Sequence, residues 1–369
     1  MEIRVGVIGA SPDRGWAARA HVPALRALPG YALTAVATSR AESAREAARR
    51  FGAAHAFTDP RRLAEHPDVD LVAITVKVPA HAELVRAALE AGKHVYCEWP
   101  LARTTEEARA LADLAGQAGV RHVVGLQARH APAVGYAREL LAAGRIGRVT
   151  SATVYATRSK GAGTTIPAWA AYTLDRANGA GLLEVAGGHT LDAVEHLLGE
   201  ITTLSAALSV QRPGYTVEET GEAVEVTGPD HLQLHGALTG GAALSAHIHD
   251  AKVTDARTRI EIAGTEGDLA IVSGALGAGG VQMSELRVLG SRGDGSWEEL
   301  PVPVRHRRLA EVVQDVQALN VARLYAGLAD DLRTGARTTA DFGAALHVHR
   351  LLDAVRRSAA TGTRQTLAA

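Results

Sequence analysis

Two hydrophobic rhythms divide the chain. In its first third, short apolar and β-branched runs recur at Ile3–Ile8, Leu33–Ala37, Val69–Val76, His94–Cys97 and His122–Val124. Between them lie Ala-, Glu- and Arg-rich stretches with apolar residues at helical spacing, at Ala41–Phe51, Ala80–Ala91 and Thr105–Ala118. The last opens with a Thr-x-x-Glu capping pattern at Thr104–Glu107. Continuous apolar strands joined by helices predict a parallel sheet covered on both faces. A doubly wound α/β domain is therefore expected over residues 1–125.

The rhythm then changes to alternation. Strands are predicted at Val149–Thr157, Thr202–Val210, Val224–Thr227, His231–Leu238, Ala242–His249, Arg257–Ala263, Leu269–Val272 and Gln282–Leu289. One helix, His189–Leu198, interrupts them, and two long ones follow at Leu309–Thr334 and Ala340–Ser358. This order predicts an α+β domain over residues 126–369 with a large open, mainly antiparallel sheet. Its C-terminal helices are free to pack back on the first domain. Gly274–Gly280 reads as a loop, and no internal repeat is evident.

Charge narrows the possible partners. The 39 Lys and Arg against 40 Asp and Glu leave a net charge of −1, without the positive surplus that a nucleic-acid grip requires. Runs such as Leu71–Val76 are far short of the roughly 20 residues needed to span a bilayer. The chain enters its first strand at once, and the single cysteine, Cys97, excludes an internal disulfide. A cytoplasmic protein is expected. Among the histidines, His21, His231, His235, His247 and His249 lie mostly on separate elements, and no carboxylate or thiol pattern completes a metal set around them.

The first strand runs into Gly6-Val7-Ile8-Gly9-Ala10-Ser11-Pro12-Asp13-Arg14-Gly15-Trp16, ahead of a helix predicted from Ala17. Glycines here let the backbone approach a pyrophosphate, and a helix N-terminus supplies amide donors. The spacing is irregular, because five residues separate Gly9 from Gly15 and Ser11 holds the middle glycine position. Its place at the first strand–helix junction nevertheless marks a Rossmann-type dinucleotide cradle. The second strand ends in Ala37-Thr38-Ser39-Arg40, without the acidic residue that usually binds NAD ribose hydroxyls. Thr38 and Ser39 can donate hydrogen bonds and Arg40 a charged fork, which favours NADP(H) and leaves NAD(H) open. In the alternative, Ser39 caps the next helix and Arg40 is solvated.

Further motifs resemble one family along essentially the whole chain. They are Val69–Thr75, His81, Ala88–His94, Glu98-Trp99-Pro100, Gly125–Arg129, Gly144–Gly147, Gly187–Asp192, Gly264–Gly267 and Asp341-Phe342. Together they look like the glucose–fructose oxidoreductase/inositol dehydrogenase (Gfo/Idh/MocA) family. That resemblance implies a Rossmann domain, an open-sheet domain, a nicotinamide cofactor and a polyhydroxylated substrate. Where the family usually has Glu-Lys-Pro, this chain has Glu98-Trp99-Pro100, and an indole cannot carry a proton as the family's amine does. Gly15-Trp16-Ala17 and the Glu98-Trp99 pair are similar to a branch that contains the fungal repressor of galactose-metabolism genes, a regulatory protein.

The resemblance makes His189, behind two glycines at a helix start, the first candidate proton shuttle, because imidazole ordinarily titrates near roughly pH 6.5. A structural cap is the alternative. Asp192 follows one helical turn later and either orients His189 or is solvated. Tyr172 is a candidate phenolic donor or hydroxyl binder, and Lys160, in Ser159–Gly163, a candidate replacement for the missing amine. Trp99 contacts nicotinamide or substrate, or only packs. Glu98 and Pro100 shape a strand end, with a cis peptide at Pro100 left open. Thr75, His81 and Gln127 fall on the cofactor side of the family pattern, and Arg129 holds a polar substrate or joins the domains through an ion pair. The expected protein is an NAD(P)-dependent oxidoreductase of a sugar, cyclitol or related polyol or ketone, forming a dimer or tetramer. The alternative is a dinucleotide-binding regulator without turnover.

Overall fold

The computed structural model describes residues 2–274, 280–291 and 295–367. The chain divides into two compact units, residues 1–127 with 309–347, and residues 128–308 with 348–369.

The first unit holds six strands, β1 (Ile3–Ile8), β2 (Tyr31–Ala37), β3 (His55–Phe57), β4 (Leu71–Ile74), β5 (His94–Glu98) and β6 (His122–Gly125). All pair in parallel, in the order β3-β2-β1-β4-β5-β6. This is the doubly wound Rossmann order, and β4 and β6 are buried throughout, as continuous apolar runs require. The helices Ala41–Phe51 and Thr105–Ala118 end in left-handed Gly52 and Gly119. Thr104 accepts from the Glu107 N–H at 3.2 Å, while the Glu107 carboxylate accepts from Arg103 N–H rather than closing the box on Thr104. The helix Val316–Thr334 adds Leu319, Val321, Leu324, Tyr325 and Leu328 to the core around Val5, Val7 and Leu25.

Nine strands of the second unit form one sheet. They are β7 (Val149–Thr157), β9 (Ile201–Ser209), β12 (His231–Leu238), β13 (Ala243–His249), β14 (Thr258–Gly264), β15 (Asp268–Ser273), β16 (Leu286–Ser291), β17 (Glu298–Leu300) and β18 (Gln365–Thr366). Three short strands, β8 (Thr165–Ile166), β10 (Gly214–Val217) and β11 (Ala223–Glu225), form another. In the large sheet only β7 and β13 run parallel; every other pairing is antiparallel. Leu232, Leu234, Leu244, Ala246 and Ile248 are buried on one face, and Gly187 approaches Leu232 there. The opposite face presents Gln233, His235, Ser245 and His247, so the alternation seen in the sequence is a true inside–outside pattern.

Several elements depart from expectation. The last long helix but one begins at Val316 rather than Leu309, because the Asp315 side chain accepts from the N–H groups of Gln317 and Ala318. The strand expected from Gln282 begins at Leu286, since residues 280–284 form a turn with Met283 and Ser284 N–H on Gly280 O. A helix at Pro132–Ala142 and the strands β3, β8, β10, β17 and β18 were not anticipated. Gly274–Gly280 includes residues 275–279, which lie outside the described residues.

Candidate functional site

In the first unit, the carboxyl ends of β1, β4, β5 and β6 deliver Gly9, Thr75, Glu98 and Gln127 to one edge of the sheet. Gly9 has φ 95°. A Cβ there would lie 2.8 Å from Val76 Cγ1 and 2.9 Å from Thr75 Oγ1. Only glycine fits, because a side chain there would strike the residues that follow β4. Gly15 also has positive φ, at 94°, but faces open space. Ser11 N–H closes the turn on Gly9 O at 2.9 Å, and Thr75 Oγ1 donates to Ile8 O at 2.8 Å. Trp16 precedes a π-helical turn, Ala17–His21, and its buried Nε1 has no hydrogen-bond partner. These features fit a dinucleotide.

At the end of β2, Thr38 Oγ1 engages Ser43 Oγ at 2.6 Å and Arg40 O at 3.0 Å. Arg40 occupies the N-cap position of the next helix without a side-chain cap, so Ser39 is not the cap, and both residues are exposed. Glu98 is held from two sides, accepting from Gln127 Nε2 at 2.6 Å and pairing with His21 Nε2 at 2.9 Å. His21 Nδ1 in turn meets Tyr325 Oη at 2.8 Å. Trp99 is buried, and its peptide bond to Pro100 is cis. His81 was expected beside the cofactor, but both its ring nitrogens face backbone carbonyls, Pro100 O at 2.8 Å and Val76 O at 3.0 Å. Burial lowers its pKa from the ordinary imidazole value against the pull of those carbonyls, and the ring braces two strand ends.

The second unit assembles a charged cluster where the parallel pair of its large sheet, β7 and β13, ends. Arg158 follows β7 and Asp250 follows β13, and they form a two-point ion pair, Nε–Oδ1 2.6 Å and Nη2–Oδ2 2.7 Å. Beside it, Lys160 Nζ donates to Thr173 Oγ1 at 2.8 Å. Part of Lys160 remains exposed, but burial of its ammonium end, reinforced by Arg158 and opposed by Asp250, lowers its pKa to about 8. Lys160, Thr173, Tyr215, Asp230 and Asp250 line a cavity of about 30 Å³, room for one water. Gly161 must be glycine there, as a Cβ would sit 2.7 Å from Tyr215 Oη.

His189 begins the helix Gly188–Leu198 behind a second π-helical turn, Leu183–Gly187, a distortion that often marks functional positions. It is buried, and Nδ1 has no hydrogen-bond partner. The expectation that it titrates near neutrality is not met. Burial, then the charge of Arg158, push it down to about 3, so it is a neutral imidazole. Asp192, expected either to orient His189 or to be solvated, is engaged by Arg129. It is fully buried and takes the Arg129 guanidinium, with Nε–Oδ2 at 2.9 Å and Nη2–Oδ1 at 2.5 Å. Arg129 thus makes an ion pair, but within the second unit rather than one that joins the two domains. Tyr172 is half-buried, and burial raises its phenol pKa. Arg158, Asp250, Thr173 and Tyr215 escaped sequence reasoning, because only strand pairing brings residues 92 positions apart together.

Two family models match the chain. One describes an oxidoreductase family with an NAD-binding Rossmann fold, over residues 3–126, and the other the C-terminal domain of Gal80p, over residues 132–273. A dehydrogenase, aclE, of Aspergillus oryzae is 37% identical over 246 residues, which are 64% of this chain and 67% of that protein. The galactose/lactose metabolism regulatory protein GAL80 of Kluyveromyces lactis is 28% identical over 77% of this chain and 66% of its own. The matches thus span about two thirds of both curated relatives. Among solved structures, levoglucosan dehydrogenase in complex with NADH and L-sorbose superposes with a TM-score of 0.85 at 25% identity, covering 100% of this chain and 99% of that one.

Proposed function

The chain belongs to the Gfo/Idh/MocA oxidoreductase family, with a Gal80-like second half, and on that footing we propose that it is a nicotinamide-dependent oxidoreductase of a sugar, cyclitol or similar polyhydroxylated alcohol or ketone. The observation that carries this reading is Lys160, an amine poised at about 8 beside Arg158 and Asp250 in a chain whose Glu98-Trp99-Pro100 lacks the family lysine. A bound nicotinamide supplies or accepts the hydride. In oxidation, the neutral Lys160 amine takes the substrate hydroxyl proton; in reduction, the ammonium returns it to the carbonyl oxygen. His189, kept neutral by burial, holds the same oxygen by hydrogen bonding, and Tyr172 shapes the substrate's surroundings. Gly9, Ser11, Gly15 and Trp16 form the diphosphate turn. Exposed Arg40 and the absence of an acidic residue at the end of β2 favour NADP(H) over NAD(H). Levoglucosan dehydrogenase, a structural neighbour, binds NADH and L-sorbose, which supports the substrate class and keeps NAD(H) in view. The open sheet face supports a homo-oligomer.

A regulatory reading is favoured by two observations: the indole at position 99 and the unprotonatable His189. The test is direct. The protein is titrated with both dinucleotides and assayed against a panel of sugars, anhydrosugars and keto-sugars at the reduced-nicotinamide absorbance. Turnover is expected, with Lys160→Met lowering kcat about 100-fold or more while dinucleotide affinity is kept. Tight dinucleotide binding with no turnover across the panel would establish the regulator instead. Arg40→Asp is expected to weaken NADP(H) selectively, and equal affinity for NADP(H) in that variant sinks the cofactor preference.

A further inference from the structure

A second constellation of ionisable groups lies in the first unit, toward the strand ends away from Gly9 and Thr75. His55 opens β3, and His66 and Asp68 sit in the turn before β4. One ligand-capable atom from each lies within 4.8 Å of the others, and all three residues are half-buried. His55 Nε2 is 2.9 Å from Asp68 Oδ2, and His66 Nδ1 is 4.0 Å from the same oxygen. The two imidazole rings lie 4.1 Å apart, centre to centre. We propose that His55, His66 and Asp68 bind a divalent transition-metal ion of the zinc type.

Donor chemistry and spacing support the assignment. Two imidazoles and one carboxylate form a borderline nitrogen–oxygen set that suits zinc, cobalt or nickel rather than calcium or magnesium. Tetrahedral bonds of about 2.1 Å put ligand atoms about 3.4 Å apart. Separations of 2.9 Å and 4.0 Å to Asp68 Oδ2 bracket that value, and with all three atoms within 4.8 Å of one another, side-chain shifts of about 1 Å bring them to bonding distance. Three protein ligands leave a fourth position for water.

The surroundings resemble an outer shell. Asp68 divides its oxygens, with Oδ1 taking Arg4 Nη1 at 3.2 Å and Oδ2 turned to the imidazoles. Thr34 Oγ1 donates to Asp68 O at 2.6 Å, and Lys93 Nζ holds His66 O at 3.2 Å, so the turn carrying two ligands is fixed. Two features oppose tight binding. Arg4 brings a positive charge, although Asp70 binds it at 2.9 Å and 2.7 Å, and His66 Nδ1 must give up the Asp68 N–H at 3.2 Å. Affinity is therefore expected to be moderate, and the site to stabilise the fold rather than serve hydride chemistry.

The test uses tag-free, chelator-treated full-length protein titrated with Co²⁺ and Zn²⁺. One equivalent of Co²⁺ should give the visible bands of a four-coordinate ion, and Zn²⁺ should raise Tm. His55→Gln and Asp68→Asn should each weaken binding about tenfold or more and abolish the Tm rise. His247→Gln, on the sheet face of the second unit, should change neither. Far-UV circular dichroism verifies folding, and His66→Gln replaces either variant that misfolds. Absence of stoichiometric binding, or binding unchanged in the variants, overturns the proposal.

Discussion

At Lys160, a Thr173 hydroxyl and the Arg158–Asp250 pair surround an amine that would ordinarily titrate two to three pH units higher. A lysine pKa lowered by folding costs stability below about pH 8 and ceases to do so as pH rises toward its unfolded value. Lys160→Met should therefore leave thermal stability at pH 7 unchanged or slightly raised, while turnover falls. In the wild type, alcohol oxidation should rise across pH 8 as the amine deprotonates, and ketone reduction should fall over the same range. A pH–rate profile in each direction checks both signs. Gly9 is the complementary case, because its φ of 95° and the 2.8 Å approach to Val76 leave no space for a methyl group. Gly9→Ala should cost about 1–2 kcal/mol from backbone strain alone and abolish dinucleotide binding, read by urea titration and calorimetry. Gly9 was singled out in the sequence by its place at the first strand–helix junction, whereas the packing that demands glycine there is visible only in three dimensions. Lys160 was legible as a loop lysine and a candidate for the missing amine. Its depressed pKa depends on burial and then on Arg158, whose position follows from strand pairing.

Among the elements, β5 and the turn Ala17–His21 are joined by one hydrogen-bond chain, Gln127–Glu98–His21–Tyr325. His21 is fully buried, so His21→Phe takes the imidazole partner from both the Tyr325 hydroxyl and the Glu98 carboxylate, which keeps Gln127. A loss of about 2–4 kcal/mol is expected in urea denaturation, with a sizeable coupling energy in a double-mutant cycle with Glu98→Gln. The sequence marked Glu98 through its Trp-Pro neighbours and left His21 as one histidine among 16. Boundaries were legible where the signal was local. Ala41–Phe51 and Thr105–Ala118 both end in left-handed glycines, and the second also carries the Thr104 cap. They were illegible where it was not. His55–Phe57 is too short to show a period, and Pro132–Ala142 contains Gly135, which blurs its helical stripe. The Asp315 cap that delays the helix at Val316 was read as part of the helix.

For the whole molecule, the 16 histidines outweigh their usual importance because the chain is nearly neutral. His81, His94, His122, His189, His196, His247 and His249 all have pKa values lowered mainly by burial. On acidification the unfolded chain therefore takes up protons first, and stability falls as pH drops from about 6.5 through the lowered values, to about 4 for His249 and about 3 for His189. Tm should decline between pH 7 and pH 4.5, and His189→Gln should flatten part of that decline. The core of the first unit has a different consequence, one concerning biosynthesis. Tyr31 Oη donates to Tyr325 O at 2.7 Å, and the chain from Leu309 to His347 belongs to that unit although 181 residues of the other separate it from Gln127. As the chain leaves the ribosome, the dinucleotide layer must wait with part of its apolar surface uncovered until those late residues emerge. A fragment of residues 1–127 should aggregate, and one carrying residues 309–347 through a short flexible tether should stay in solution.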